Sequence, residues 1–142
     1  MSPELIKTLY TARATAHGGR SGHAVSSDGV LDVDLEPPAE MGGKGGATNP
    51  EQLFAAGYAA CFQSALAAVG RRAGVDTGGS LVEADVSIGT VHGGGYGLAV
   101  VLKIAIPGVD EDTVRSLTQA AHEQCPYSRA TKGNIEVTLD VG

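Results

Sequence analysis

The segment "NPEQLFAAGYAACFQSALAAVGRRAG" at residues 49–74 constrains the fold more than any other part of the chain. Between residues 53 and 70 only Gln63 and Ser64 are plainly polar. Asn49 is a suitable N-cap, Pro50 falls at the first helical position, and Gln52 can reach back as in a capping box. Arg71 and Arg72 sit where a helix C-terminus favours cations. One long helix is therefore predicted, ending near Gly70 or Gly74. A membrane span needs about 20 apolar residues, whereas only Leu53, Phe54, Phe62, Leu66 and Val69 here are of strongly inserting types and most of the rest is Ala or Gly. The helix is expected to be buried in a protein core.

Around it the pattern is mostly that of strands. "KTLYTARATA" at 7–16 reads as a first strand, "GGRSG" at 18–22 as a turn, and "HAVSS" as a second extended segment. "GVLDVDL" at 29–35 alternates Val30, Asp32 and Asp34 on one face with Leu31, Val33 and Leu35 on the other, a half-buried strand. "EPPAEMGGKGGAT" carries the breakers of a loop. "SLVEADVSIGTV" and "YGLAVVLKIAI" flank "HGGG" as a β-hairpin. Asp110 caps a second helix with the stripe Val114, Leu117 and Ala121, and Pro126 ends it near Cys125. "NIEVTLDV" closes the chain as a strand. Strands in runs, not alternating with helices, indicate an α+β fold with mostly antiparallel sheets in a single domain, 1–142.

Charge and cysteine usage narrow the function. The net charge is −6 and no basic stripe occurs, which argues against nucleic acid and anionic membrane surfaces as partners. The first 25 residues contain no apolar h-region, so a cytoplasmic location is expected. There a permanent structural disulfide is uncommon, and two cysteines call for another explanation.

Cys61 lies in the middle of the long helix. A free thiol there packs as a small hydrophobe or serves as a reactive group. Its helix face carries Phe54, Gly57, Tyr58, Ser64, Ala65 and Ala68. Glycine inside a helix costs about 1 kcal/mol relative to alanine, so Gly57 needs a reason. Small neighbours admit another backbone, or leave space before the sulfur. Cys125 extends the inward stripe of the second helix, so face-to-face packing of the helices would bring both sulfurs into one interface. Cys61 is also about 15 Å from the start of its own helix, beyond the reach of that dipole. An active thiolate would need a cation from elsewhere, with Arg13, Arg20, Lys44 and Arg129 as candidates.

Other chemistries fit poorly. No C-x-x-C or H-x-x-x-H pair suggests zinc, and His17, His23, His92 and His122 are scattered. In "GGKGGAT" Lys44 is followed by Gly45, not by the Ser or Thr of a P-loop. There is no G-x-S-x-G elbow.

Three long blocks then carry a resemblance: "YTARATAHGGRSGHAVSSDGVL", "GGKGGATNPEQLFAAGYAACFQSAL" and "CPYSRATKGNIEVTLDV". Together they resemble organic hydroperoxide resistance (Ohr) proteins of the OsmC/Ohr superfamily, from about Leu9 to Val141. "CPYSRAT" and "TAHGGRSG" favour the Ohr branch over the OsmC branch. The resemblance implies an intertwined α+β homodimer and a thiol peroxidase that uses no metal, haem or other cofactor. It implies Cys61 as the peroxidatic cysteine, Cys125 as the resolving one, Arg20 as the guanidinium serving the thiolate, and Glu51 as its carboxylate partner. Phe54, Tyr58, Phe62 and Tyr127 are candidates to line an apolar substrate pocket. The implied substrates are organic hydroperoxides, and the implied reductant is a dithiol, the dihydrolipoyl group of lipoylated proteins. The alternatives are an OsmC-type peroxidase of broader range and a dimeric stress-binding protein with inert cysteines.

Overall fold

A computed structural model describes residues 4–142. The chain forms two compact units, residues 1–53 and residues 54–142.

The first unit holds a small antiparallel sheet ordered β1 (Ala14–His17), β2 (His23–Ser26) and β3 (Asp32–Asp34). His17 faces His23 across β1 and β2, and His23 faces Asp34 across β2 and β3. The strand predicted over 7–16 forms only from Ala14, and residues 7–13 are exposed without regular structure. β-Propensity expresses fit to a half-buried pleated surface, and here the pairing with β2 ends at Arg13, whose carbonyl accepts from the Ser27 N–H at 2.8 Å. The 29–35 strand is likewise shorter than its alternation, although Val33 and Leu35 face inward as predicted. The 36–48 loop contains one short 3-10 turn, Ala39–Met41, and an isolated bridge from Thr48 to Leu35.

Helix α1 (Pro50–Ala73) begins at the end of this unit and runs on into the second. Asn49 Oδ1 accepts from the Gln52 backbone N–H at 2.8 Å, the expected cap. The Gln52 side chain does not close a capping box. Its Oε1 instead accepts from the Thr48 hydroxyl at 2.8 Å. The helix ends at Gly74, whose φ of 73° is the left-handed C-terminal conformation that glycine adopts without cost.

In the second unit β4 (Leu81–Thr90) and β5 (Tyr96–Ala105) form the predicted hairpin, and β6 (Glu136–Val141) pairs parallel to β5. Register places Val82, Ile104 and Val141 in one row, Ala84, Leu102 and Leu139 in the next, and Val86, Val100 and Val137 in the third. These rows face the buried stripe of α1, Tyr58, Phe62, Leu66 and Val69, and that of α2 (Glu111–Gln124), Val114, Leu117 and Ala121. α1 has the length and hydropathy of a membrane span. Its buried residues, Tyr58, Phe62, Leu66, Val69 and Gly70, lie along one stripe, so the helix expected to be buried is buried along one face only. Asp110 caps α2 by accepting from the Thr113 backbone N–H at 3.1 Å.

One element was not foreseen. Pro126 ends α2 as predicted, but it also starts α3 (Pro126–Thr131) at the first helical position. Cys125, with φ −66° and ψ 124°, is both the C-cap of α2 and the N-cap of α3.

Candidate functional site

In the first unit three glycines shape the turn that presents Arg20. Gly18 and Gly19 have φ of 76° and 58°. A Cβ at Gly22 would lie 1.6 Å from the His17 carbonyl oxygen, so only glycine fits there. Arg20 donates from Nη1 to Glu51 Oε1 at 2.6 Å and from Nη2 to Oε2 at 3.0 Å. Both nitrogens of the fork engage both carboxylate oxygens, which fixes orientation as well as charge. The hydrogen bond from Arg20 holds the Glu51 carboxyl below its ordinary range, against a smaller opposing effect of burial.

In the second unit Cys61 Sγ and Cys125 Sγ are 3.6 Å apart and are not joined by a disulfide. Both sulfurs therefore enter one interface, as the periodicity of the two helices predicts. A disulfide requires about 2.05 Å between sulfurs, so a movement of about 1.5 Å separates contact from bond. Burial pushes the Cys61 thiol up, the Tyr127 backbone N–H donates to the sulfur and opposes this, and the neighbouring Cys125 raises it further.

Gly57 now has its reason, and it is a side chain. A Cβ there would come within 2.8 Å of the Tyr127 hydroxyl oxygen and 3.3 Å of its ring carbons. The Tyr127 ring also meets Tyr58 and Phe54, with centroids 5.7 and 6.1 Å away, and Phe54 meets Tyr58 at 6.2 Å. Of the four candidate pocket residues, Tyr58 and Phe62 are fully buried, Phe54 is half-buried and Tyr127 is exposed at 39%.

Sequence reasoning missed a buried polar chain beside the cysteines. His122 Nδ1 lies 2.8 Å from Ser128 Oγ, which lies 2.8 Å from the Tyr58 hydroxyl, which lies 3.0 Å from Thr131 Oγ1. Burial lowers the His122 pKa, Lys132 adds to this and Glu123 opposes it. The one local signal was "CPYSRAT", where a proline at a helix start brings Ser128 and Thr131 onto one face.

A mixed α+β protein with two thiols in contact and a bidentate Arg–Glu pair defines a class of thiol proteins. Comparison with known proteins makes it specific. The OsmC-like protein family matches residues 43–140. An organic hydroperoxide resistance protein of Xanthomonas axonopodis pv. citri is 54% identical over 140 residues, covering 97% of this chain and 96% of that one. The organic hydroperoxide resistance protein OhrB of Bacillus subtilis is 47% identical, covering 94% and 98%. Among solved structures, an organic hydroperoxide resistance protein from Elizabethkingia anophelis superposes with a TM-score of 0.91 at 51% identity, covering 96% and 99%. The chain belongs to the OsmC family, within its organic hydroperoxide resistance branch.

Proposed function

We propose that this protein is a thiol-dependent peroxidase that reduces organic hydroperoxides and so protects against oxidative stress. The observation that carries the reading is the 3.6 Å contact of Cys61 and Cys125 in a chain half identical to organic hydroperoxide resistance proteins. The Cys61 thiolate attacks the distal oxygen of ROOH. The O–O bond breaks, the alcohol leaves with a proton, and Cys61 becomes a sulfenic acid. Cys125 then displaces the hydroxyl group as water and forms the disulfide. A dithiol returns both cysteines to thiols by exchange, itself becoming a disulfide.

Arg20 and Glu51 enter this reading through the family resemblance. Burial alone disfavours the Cys61 thiolate, so the reading assigns Arg20 the task of favouring it and Glu51 the task of holding Arg20. The reading also takes the protein as a cytoplasmic homodimer reduced by dihydrolipoyl groups. Leu5, Ile6, Leu9 and Tyr10, all exposed in the first unit, are apolar surface of the kind a second subunit covers. Phe54, Tyr58, Phe62 and Tyr127 supply the apolar surroundings that favour bulky hydroperoxides over hydrogen peroxide, which gains nothing from apolar burial.

The test is one equivalent of cumene hydroperoxide added to the reduced protein, followed by intact mass and peptide mapping. Loss of two hydrogens with a Cys61–Cys125 link is the expected result. Two unmodified thiols would end the peroxidase reading.

A further inference from the structure

The chain His122–Ser128–Tyr58–Thr131 has only one arrangement of protons that satisfies every contact. Thr131 Oγ1 lies 3.0 Å from the Tyr127 carbonyl oxygen and 3.3 Å from that of Ser128. Carbonyls only accept, so the single Thr131 proton is spent there. Thr131 must then accept from the Tyr58 phenol, whose own single proton is thereby used. Ser128 must donate to the phenol oxygen, which uses the Ser128 proton. His122 Nδ1 is left to donate to Ser128 Oγ. Reversing the chain would leave the Thr131–carbonyl contact without a proton. All four side chains are buried, at 8% exposure or less, so water cannot easily replace what is lost.

This one-way chain ties three helices together beside the thiol contact. Tyr58 is on α1, three residues before Cys61. His122 is on α2, three residues before Cys125, and Ser128 is on α3, three residues after it. The hydrogen-bond chain and the sulfur contact therefore cross the same helix junction about one turn apart. Cys125 is the joint between α2 and α3, and its freedom is set by how firmly α3 is held to α1 and α2. Tyr127, whose N–H reaches the Cys61 sulfur, lies inside α3.

We propose that His122, as its Nδ1–H tautomer, is a positioning residue for disulfide closure between Cys61 and Cys125, acting through Ser128 and Tyr58. The proposal rests on the peroxidase reading for the step it serves. There the Cys125 sulfur attacks the Cys61 sulfenic sulfur, the S–O bond breaks, an S–S bond forms, and the thiol proton leaves with the hydroxyl as water. The clamp keeps the Cys125 thiol at high effective concentration against Cys61.

Two measurements on the full chain test it, and neither needs a peroxide. The first is long-range 1H–15N NMR of the histidine-labelled, reduced protein near neutral pH, with His122 assigned by its loss in His122→Asn. Protonated Nδ1 is the expected result, and a proton on Nε2 alone would overturn the proposal. The second is the equilibrium of the Cys61–Cys125 dithiol with oxidised dithiothreitol, in which two electrons and two protons pass to the reagent. Ser128→Ala and His122→Leu should lower the effective concentration of the thiol pair roughly tenfold, the weight of about one buried hydrogen bond. His122→Asn keeps an N–H near the Nδ1 position and should restore it. Wild-type equilibria in Ser128→Ala and His122→Leu would overturn the proposal. Should Ser128→Ala fail to fold, the tautomer and the His122→Leu and His122→Asn pair still decide. A protein that closes this disulfide with the reagent yet ignores hydroperoxides would sink the peroxidase reading, while these two measurements would still judge the clamp.

Discussion

The Tyr127 phenol lies across the Cα of Gly57, so close that a methyl group on that carbon would meet the hydroxyl oxygen at 2.8 Å. Two effects oppose each other at this position. Alanine is a better helix former than glycine by about 1 kcal/mol, whereas overpacking against a ring costs about 1–3 kcal/mol. Gly57→Ala is therefore expected to lower stability by about 1 kcal/mol. In a Tyr127→Ala background the same change should stabilise by about that amount. Denaturant unfolding of the four proteins in this cycle checks the reversal of sign.

The turn before β2 has a harder constraint. A Cβ at Gly22 overlaps the His17 carbonyl, whereas one at Gly19 meets nothing and is opposed only by a φ of 58°. Gly22→Ala should thus cost on the order of 3 kcal/mol or more by forcing the β1–β2 turn apart. Gly19→Ala should cost about 1–2 kcal/mol. Equal losses in thermal unfolding would contradict the steric account.

The contrast between these glycines shows what was legible beforehand. α1 could be read because its cap, its first-turn proline and its closing glycine are all local. The first strand is shorter than its Thr- and Tyr-rich pattern predicts, since such residues form a strand only where a neighbour pairs with them, and within this chain the pairing of β1 with β2 runs out at Arg13, whose carbonyl accepts from the Ser27 N–H at 2.8 Å. Pro126 is both a stop and a start, and a six-residue helix such as α3 is too short for its pattern to show in the sequence. Gly57 could be flagged as needing a reason, yet the reason sits 70 positions away on Tyr127. The Tyr58–Ser128 and Tyr58–Thr131 bonds span 70 and 73 positions and leave no periodic trace. The Cys61–Cys125 contact was accessible only because both residues continue apolar helix faces.

The Arg20–Glu51 pair makes a pH prediction. Its lowered carboxyl pKa means that the stabilisation is fully present above the ordinary carboxylate range, about 4.3, and is lost as pH falls through the folded value. Arg20 is 38% exposed, so solvent screening keeps the pair near 1 kcal/mol or below. Glu51→Gln should lower stability by about that amount near neutral pH, and the gap from wild type should close in acid. On the proposed role of Arg20, Arg20→Ala should in addition slow iodoacetamide alkylation of Cys61 near neutral pH.

Two histidines act in opposite directions. The hydrogen bond to Asp34, helped by Asp32, raises the pKa of exposed His23, so its contribution is present below the ordinary histidine value and lost as pH rises through the folded one. His122 is buried and its pKa is lowered, so the unfolded chain binds a proton more readily. Stability must therefore fall as pH drops below about 6.5. His122→Asn should flatten the unfolding midpoint on the acid side, and His23→Asn on the neutral side. Urea titrations from acid to mildly alkaline pH separate the two.

The cysteines divide the proposed cycle between them. Cys61→Ser should abolish consumption of cumene hydroperoxide, because serine offers neither the nucleophile nor the sulfenic acid. Cys125→Ser should reduce one equivalent of peroxide and then accumulate over-oxidised Cys61 without turning over. With no thiol 3.6 Å away, the Cys61 sulfenic acid persists and a second equivalent of peroxide carries it to sulfinic acid, a gain of two oxygens on the peptide holding Cys61. Activity retained in Cys61→Ser would move the chemistry elsewhere. A Cys125→Ser protein that turns over at the wild-type rate would instead mean that the external dithiol reduces the sulfenic acid directly, and that the contact between the two sulfurs serves packing alone.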